Sequence, residues 1–75
     1  MERLLNRIVI DPEILSGKPV IKGTRIPVYL VVELVADEMN TEQILKEYAE
    51  LKPDDIKAAL LYASRLLKRE VTVAL

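Results

Sequence analysis

The stretch Ser16–Val28, with the sequence SGKPVIKGTRIPV, constrains the fold more than any other part of this 75-residue chain. It contains both glycines, Gly17 and Gly23, and two of the four prolines, Pro19 and Pro27. Glycine permits positive φ angles, whereas proline fixes φ and removes a backbone donor. These residues therefore predict a turn, a strand that begins at Pro19, and a second turn that leads into a helix.

Two short strands are predicted in the first third of the chain. Arg7–Ile10 is a β-branched run that ends at Asp11, and Pro19–Lys22 is a second run that ends at Gly23. A turn or short helical turn over Pro12–Leu15 is expected between them. The two runs are predicted to pair, and the sequence leaves open whether they pair within one chain or across a dimer.

The first predicted helix, Val28–Glu38, is apolar around most of its circumference. One stripe has helical spacing and the other adds two leucines; the members are Val28, Val31, Val32, Val35 and Ala36, then Leu30 and Leu34. Pro27 is expected at the first helical position, and Thr24 is expected to cap the helix. Because such a helix is buried on more than one side, Leu30 and Leu34 are predicted at a homodimer interface.

Two further helices are predicted after this one. Asn40 and Gln43 have the spacing of a capping box that opens a helix over Thr41–Glu50. Pro53 opens a third helix that runs to Arg69, with two carboxylates in its first turn, where the helix dipole favours them. Its predicted core stripe consists of Ile56, Ala59, Leu60, Ala63 and Leu67.

Together these elements predict a single α+β domain over residues 1–75 that is mainly helical. Residues 1–27 form the β unit, residues 28–69 form three helices, and residues 70–75 form a strand or apolar tail that includes Val71–Leu75. The second and third helices have helix-turn-helix proportions.

Composition argues against an enzyme. The chain has no cysteine and no histidine, so thiolate chemistry is excluded, a zinc site is disfavoured, and the commonest general acid–base group is missing. We therefore expect neither catalysis nor a cofactor. No apolar run reaches the roughly 18 residues of a membrane span, and no signal peptide is recognisable, so a cytoplasmic protein is expected.

Charge is strongly segregated although the net charge is only −1. Residues 1–27 have five basic and three acidic side chains, residues 28–55 have two and eight, and residues 56–75 have four and one. This basic–acidic–basic order favours contact with a charged partner or a second copy.

Two sets of basic residues are candidates for binding. Lys18, Lys22 and Arg25, together with Thr24, lie in the glycine-bounded segment and are the candidates for contact with a protein partner. The alternative for Arg25 is an ion pair with a carboxylate of residues 33–55. The candidates for nucleic-acid contact are Lys57, Arg65, Lys68 and Arg69, although Asp54 and Asp55 would repel phosphate where a recognition helix meets DNA.

The chain resembles the domain-of-unknown-function family 433 over residues 8–63. The motifs that carry the resemblance are Ile10-Asp11-Pro12, the Ser16–Val28 segment, Ile44-Leu45, Tyr48, Leu51, Asp54–Leu60 and Tyr62-Ala63. Members of this family are regarded as VapB-like antitoxins of toxin–antitoxin pairs. The chain departs from the usual family pattern at Glu38, Ala49 and Lys52, where many members have glycine, proline and a hydroxyl cap, respectively.

The resemblance implies a homeodomain-like or winged-helix-like arrangement of the three helices, a homodimer, and a toxin partner with a PIN-like ribonuclease fold. The expected function is neutralisation of that toxin by Arg25, Arg65 or the tail from Val71 placed against its acidic site. The alternatives are a helix-turn-helix DNA-binding regulator and a structural dimerisation module.

Overall fold

A computed structural model describes residues 2–70, apart from the side chains at the two ends of that range. The elements in chain order are α1 (Glu2–Leu5), β1 (Ile8–Val9), β2 (Val20–Ile21), α2 (Val28–Ala36), α3 (Thr41–Glu47) and α4 (Pro53–Glu70). The fold is α+β and mainly helical, as predicted, and α1 is a helix that the sequence pattern did not indicate. The predicted tail Val71–Leu75 lies outside the described residues.

The two strands pair within one chain, which answers the question that the sequence left open. They are antiparallel, with Ile8 opposite Ile21 and Val9 opposite Val20. Each strand is only two residues long, shorter than the predicted runs.

β2 is hydrogen-bonded on both of its sides. On the side away from β1, the Ile21 N–H donates to the Ile26 carbonyl and the Val28 N–H donates to the Pro19 carbonyl, both at 2.9 Å. Val20 and Ile21 are among the most buried residues, and Ile21 belongs to the hydrophobic core. The Ser16–Val28 segment thus places β2 in the centre of the β unit.

The predicted turn between the strands is present, with Pro12 and Glu13 at its centre. The Asp11 carbonyl accepts from the Ile14 N–H at 2.9 Å, and its carboxylate accepts from the Glu13 N–H at 2.9 Å. The chain then makes a single 3-10-type turn over Leu15–Gly17, whose φ angles of 49°, 57° and 84° are all positive. Gly17 accommodates this left-handed geometry without a Cβ penalty.

α2 begins at Val28, as predicted, and ends at Ala36, two residues before the predicted end at Glu38. Pro27 has φ −75° and ψ 152°, so it is the extended N-cap and Val28 is the first helical residue. Thr24 does not cap this helix, because its hydroxyl is bonded within the preceding turn. The prediction of a helix directly after Pro27 is correct, and the roles assigned to Pro27 and Thr24 are wrong.

Both apolar stripes of α2 contact the chain's own core. Val28 and Val31 are buried in it, and Leu30 and Leu34 are half-buried against it. Val35, predicted to face inward, is 36% exposed. Both apolar stripes of α2 are therefore largely covered by the same chain. The homodimer interface at Leu30 and Leu34 stays a prediction.

α2 ends in a Schellman motif whose left-handed residue is Glu38. Glu38 has φ 68° and its N–H donates to the Val35 carbonyl at 3.0 Å, while the Met39 N–H donates to the Leu34 carbonyl at 3.2 Å. These two bonds satisfy carbonyls that have no helical partner. Glu38 adopts this left-handed conformation although it has a Cβ.

The predicted capping box at the start of α3 is present. The Gln43 N–H donates to Asn40 Oδ1 at 2.9 Å, and the Asn40 N–H donates to Gln43 Oε1 at 2.8 Å. α3 ends at Glu47, three residues before the predicted end at Glu50.

α4 begins at Pro53 as predicted, but its core stripe is only partly correct. Ile56 and Ala59 are buried, whereas Leu60 and Leu67 are 39% and 61% exposed. The core lies at the N-terminal half of α4, against α2, α3 and the β unit; its members are Ile21, Ile26, Val28, Val31, Ile44, Leu51, Ile56 and Ala59. The C-terminal half of α4 extends past this core.

Candidate protein-binding surface

Residues Ile21–Ile26 form a tight turn after β2, which we call the cationic turn. The Thr24 N–H donates to the Ile21 carbonyl at 3.0 Å, and the Thr24 hydroxyl donates to the same carbonyl at 2.8 Å. The Ile26 N–H donates to Thr24 Oγ1 at 3.0 Å. Together with the Ile21–Ile26 backbone bond at 2.9 Å, these contacts fix the path of the turn.

Gly23 lies at the tip of the cationic turn, where the backbone requires a positive φ angle. Its φ is 80°, in the left-handed region that favours glycine. A Cβ built at this position would meet no atom within 4 Å, so space is not the constraint.

Lys22 and Arg25 are the two charged residues of the cationic turn, and both are exposed. Neither forms an ion pair with any residue in the described range. The alternative interpretation, that Arg25 pairs with a carboxylate of residues 33–55, is therefore wrong for this structure. The turn presents two cations from a backbone that is already fixed.

Lys18 lies on a different face from the other two cations. Its Nζ is 6.0 Å from the centroid of the Tyr29 ring, at the outer limit of a cation–π contact. It lines an apolar groove with Tyr29, Leu66 and Leu67, and no residue of that groove lines the pockets beside the cationic turn. Lys22, Thr24 and Arg25 thus lie in one turn, whereas Lys18 lies in a separate groove.

An ion pair that the sequence analysis missed joins the β unit to α4. Arg7 Nη1 donates to Asp55 Oδ1 at 3.0 Å, and Arg7 Nη2 lies 3.7 Å from Asp54 Oδ2. Asp55 Oδ2 accepts from the Lys52 N–H at 2.9 Å, so this carboxylate caps the helix start that Lys52 cannot cap with its own side chain. In the sequence, Arg7 is the only charged residue of the predicted strand Arg7–Ile10. This position does not indicate which carboxylate it contacts.

A shallow pocket of about 460 Å³ lies between α1, the cationic turn and the start of α4. We call it the basic pocket; its lining residues are Arg3, Asn6, Arg7, Lys22, Gly23, Thr24, Glu50, Lys52 and Asp55. Four of them are cations and two are carboxylates. Its members come from three separate parts of the chain, so no local sequence pattern indicates the pocket.

The residues predicted for nucleic-acid contact are divided between two parts of α4. Arg65, Lys68 and Arg69 line one pocket with Leu5, Tyr62 and Leu66. Lys57 is exposed near the other end of the helix and does not line that pocket.

Comparison with known proteins identifies the family. The family described as "Protein of unknown function (DUF433)" matches residues 8–63, which is most of the chain. The chain belongs to the DUF433 family. A solved relative supports the fold: the crystal structure at 2.00 Å of a DUF433 member from Anabaena variabilis has a TM-score of 0.76 and 30% sequence identity. That match covers 95% of this chain and 73% of the other.

Two sequence relatives are uncharacterized proteins. The DUF433 chain is 42% identical over 53 residues to protein y4eO of Sinorhizobium fredii, which covers 71% of this chain and 24% of that protein. It is 62% identical over 24 residues to a protein of Archaeoglobus fulgidus, which covers 32% of this chain and 67% of that one. The chain therefore spans about a quarter of the length of the Sinorhizobium protein.

Between residues 2 and 70, none of the helices combines the length and the apolar character needed to cross a membrane. The same residues contain no cluster of three or more acidic, histidine or cysteine side chains placed to hold a metal ion.

Proposed function

We propose that this DUF433 protein is the antitoxin of a toxin–antitoxin pair and that it binds and neutralises a PIN-like ribonuclease. The observation that carries the proposal is the cationic turn. Its backbone is held by four hydrogen bonds, and Lys22 and Arg25 are exposed without an ion pair in the described residues. A rigid turn binds a partner without a large loss of conformational freedom.

Charge complementarity supports a carboxylate-rich partner. The active site expected of a PIN-like ribonuclease is rich in carboxylates that hold metal. Arg25 has a planar guanidinium that can donate to one carboxylate through two parallel hydrogen bonds. In the proposed mechanism, Arg25 enters that acidic site and Lys22 contacts its rim, so that RNA is excluded.

The homeodomain-like arrangement of α2, α3 and α4 is part of the proposal. Its support is the short α3, the connection over residues 48–52, and the long α4. In this arrangement the helices form the base from which the β unit presents the cationic turn.

Co-expression tests the proposal directly. The chain is expressed with the PIN-like product of a neighbouring gene, and RNA cleavage is measured for the native protein, Arg25→Ala and Lys22→Ala. We expect Arg25→Ala to restore cleavage and Lys22→Ala to restore part of it. Lys46→Ala is the matched control, because Lys46 is an exposed cation on α3, away from the turn.

Circular dichroism of each variant establishes that the fold is kept. Arg65→Ala and deletion of residues 71–75 test the other two predicted contacts with the toxin. If Arg25→Ala, Arg65→Ala and the deletion all neutralise as well as the native chain does, this mechanism is wrong.

DNA binding is the second candidate function, favoured by one observation. Arg65, Lys68 and Arg69 converge on one pocket at the C-terminal half of α4. Against it, the first turn of α4 carries Asp54 and Asp55, and Asp55 is already bonded to Arg7. Fluorescence anisotropy with the chain's own promoter at rising salt tests it: DNA binding predicts a steep loss of affinity, and no binding at low salt excludes it.

A further inference from the structure

We propose that the basic pocket is a binding site for a carboxylate side chain of an acidic protein segment. The pocket is distinct from the outer face of the cationic turn, since Arg25 does not line it and Lys52 lies outside the turn. The inference goes beyond the antitoxin proposal, and no toxin is needed to test it.

Arg7 is the fixed group in the basic pocket. Its carbonyl accepts from the Lys22 N–H at 2.7 Å, which holds its backbone, and its Nη1 donates to Asp55 at 3.0 Å, which orients the guanidinium. A guanidinium has five N–H donors, and the bond to Asp55 uses one of them. Its Nη2 lies 3.7 Å from Asp54 Oδ2, and the side chain is 37% exposed, so the guanidinium can contact a ligand at the surface of the pocket.

The surrounding charges favour an anion. Arg3, Lys22 and Lys52 are exposed cations that line the same pocket as Arg7. Of the two lining carboxylates, Asp55 is already bonded to Arg7 and to the Lys52 N–H, which leaves Glu50. The pocket therefore has a net positive charge, in a chain whose residues 28–55 are strongly acidic.

The position of the carboxylates favours a single oxyanion over a polyphosphate chain. Glu50 lines the pocket, and Asp54 lies 3.7 Å from Arg7 at its edge. Successive phosphates that extended from the pocket would meet these negative charges, whereas a peptide can place one carboxylate among the cations and direct its other side chains to solvent. Asn6 adds a side-chain amide that can donate to the second oxygen of a carboxylate.

Nuclear magnetic resonance titration of the whole chain tests this site. The probe is a tetra-aspartate peptide with both ends capped, and capped tetra-asparagine is its uncharged control. We expect saturable shifts of the Arg7, Gly23 and Thr24 amide resonances with tetra-aspartate only. These three residues are on the wall of the basic pocket, so a ligand there changes their surroundings.

Two double variants with the same change in charge separate a site from general attraction. Lys22→Ala/Lys52→Ala removes two pocket cations, and Lys46→Ala/Lys57→Ala removes two exposed cations elsewhere. At about threefold for each exposed charge, the first variant is expected to weaken tetra-aspartate binding about tenfold. The second is expected to change it by less than about twofold, through screened long-range attraction alone.

Three results would overturn the proposal. One is a titration in which tetra-aspartate shifts none of the three amides. Another is an equal loss of affinity in both double variants, because attraction would then be spread over the surface. The last is tighter binding of inorganic phosphate than of tetra-aspartate at the same amides, which would make the pocket a phosphate site. The proposed toxin contact of Arg25 is tested separately, because Arg25 does not line the basic pocket and its variant is assayed by RNA cleavage.

Discussion

Arg7 and Asp55 are 48 residues apart in the chain, and their side chains meet at 3.0 Å between Nη1 and Oδ1. Asp55 is the one charged residue of the described side chains that is buried, and its other carboxylate oxygen accepts from the Lys52 N–H at 2.9 Å. The Asp55 carboxylate therefore connects Arg7, just before β1, to the start of α4, and it also caps that helix.

Asp55→Ala is expected to destabilise the protein by about 2–3 kcal/mol, because it leaves a half-buried guanidinium and a helix-start N–H without their acceptor. Asp54→Ala is the matched control: the Asp54 side chain is 53% exposed and only 3.7 Å from Arg7. Its expected loss is below about 1 kcal/mol. Urea unfolding measures both, and equal losses for the two variants would contradict the role assigned to Asp55.

Thr24→Val tests the hydroxyl that braces the cationic turn. The variant keeps the shape of the side chain and removes one donor at 2.8 Å and one acceptor at 3.0 Å. We expect a loss of about 1–2 kcal/mol, since the Ile21 carbonyl and the Ile26 N–H each lose a partner. Thr24→Ser retains the hydroxyl and is expected to lose less. A Thr24→Ser variant as unstable as Thr24→Val would contradict the role assigned to the hydroxyl, because serine keeps the group that makes both hydrogen bonds.

Glu38→Gly is expected to stabilise the protein by about 1 kcal/mol. Glu38 has a φ of 68°, which a residue with a Cβ adopts at a cost of about 1–2 kcal/mol and glycine adopts freely. Asp37→Gly is the control, because Asp37 has a φ of −81° and gains nothing from the change. Thermal unfolding compares the two, and a lower melting temperature for Glu38→Gly would contradict this explanation.

The homodimer is predicted at Leu30 and Leu34, but both side chains pack against the chain's own core, and the exposed Leu67 offers a second position for the interface. Leu67 is 61% exposed in an apolar groove that also contains Lys18 and Glu33, whose opposite charges can pair across a two-fold axis. We expect Leu67→Ser to shift a dimer to a monomer with little change in monomer stability, as measured by size-exclusion chromatography with light scattering.

Leu34→Ser serves as the comparison, because Leu34 is half-buried against the chain's own core. It is expected to lower stability in urea unfolding first, since a polar hydroxyl replaces a packed side chain. A native chain that is monomeric at high concentration would contradict the homodimer itself. A dimer that Leu34→Ser disrupts and Leu67→Ser does not would place the interface on the leucine stripe instead.

Local chemistry made several features predictable from the sequence. Asn40 and Gln43 form the capping box because both partners lie within one helical turn, and Pro53 starts α4 because its fixed φ is already helical. The turn at Gly23 was equally predictable, since the residue itself permits the positive φ. The family resemblance also lay in such local motifs, chiefly the Ser16–Val28 segment.

Features that depend on distant residues were not predictable in the same way. Thr24 was assigned to a helix cap, yet a nearer turn uses its hydroxyl. The apolar stripe of α4 was extended to Leu67, although the core ends before the helix does. Helical periodicity shows which residues share a face, but it does not show how far along that face a neighbour extends.

The sequence by itself determined the order of the elements after α1, the turns at the two glycines and the cations available for binding, because each follows from the backbone preference or charge of residues close together in the chain. Only the tertiary structure decided which of these cations lie near one another and which form ion pairs. It separated Lys18 from Lys22 and Arg25, and it paired Arg7 with Asp55. Contacts between residues so far apart are set by how β2, α2 and α4 pack around one core, and packing is a property of the whole chain.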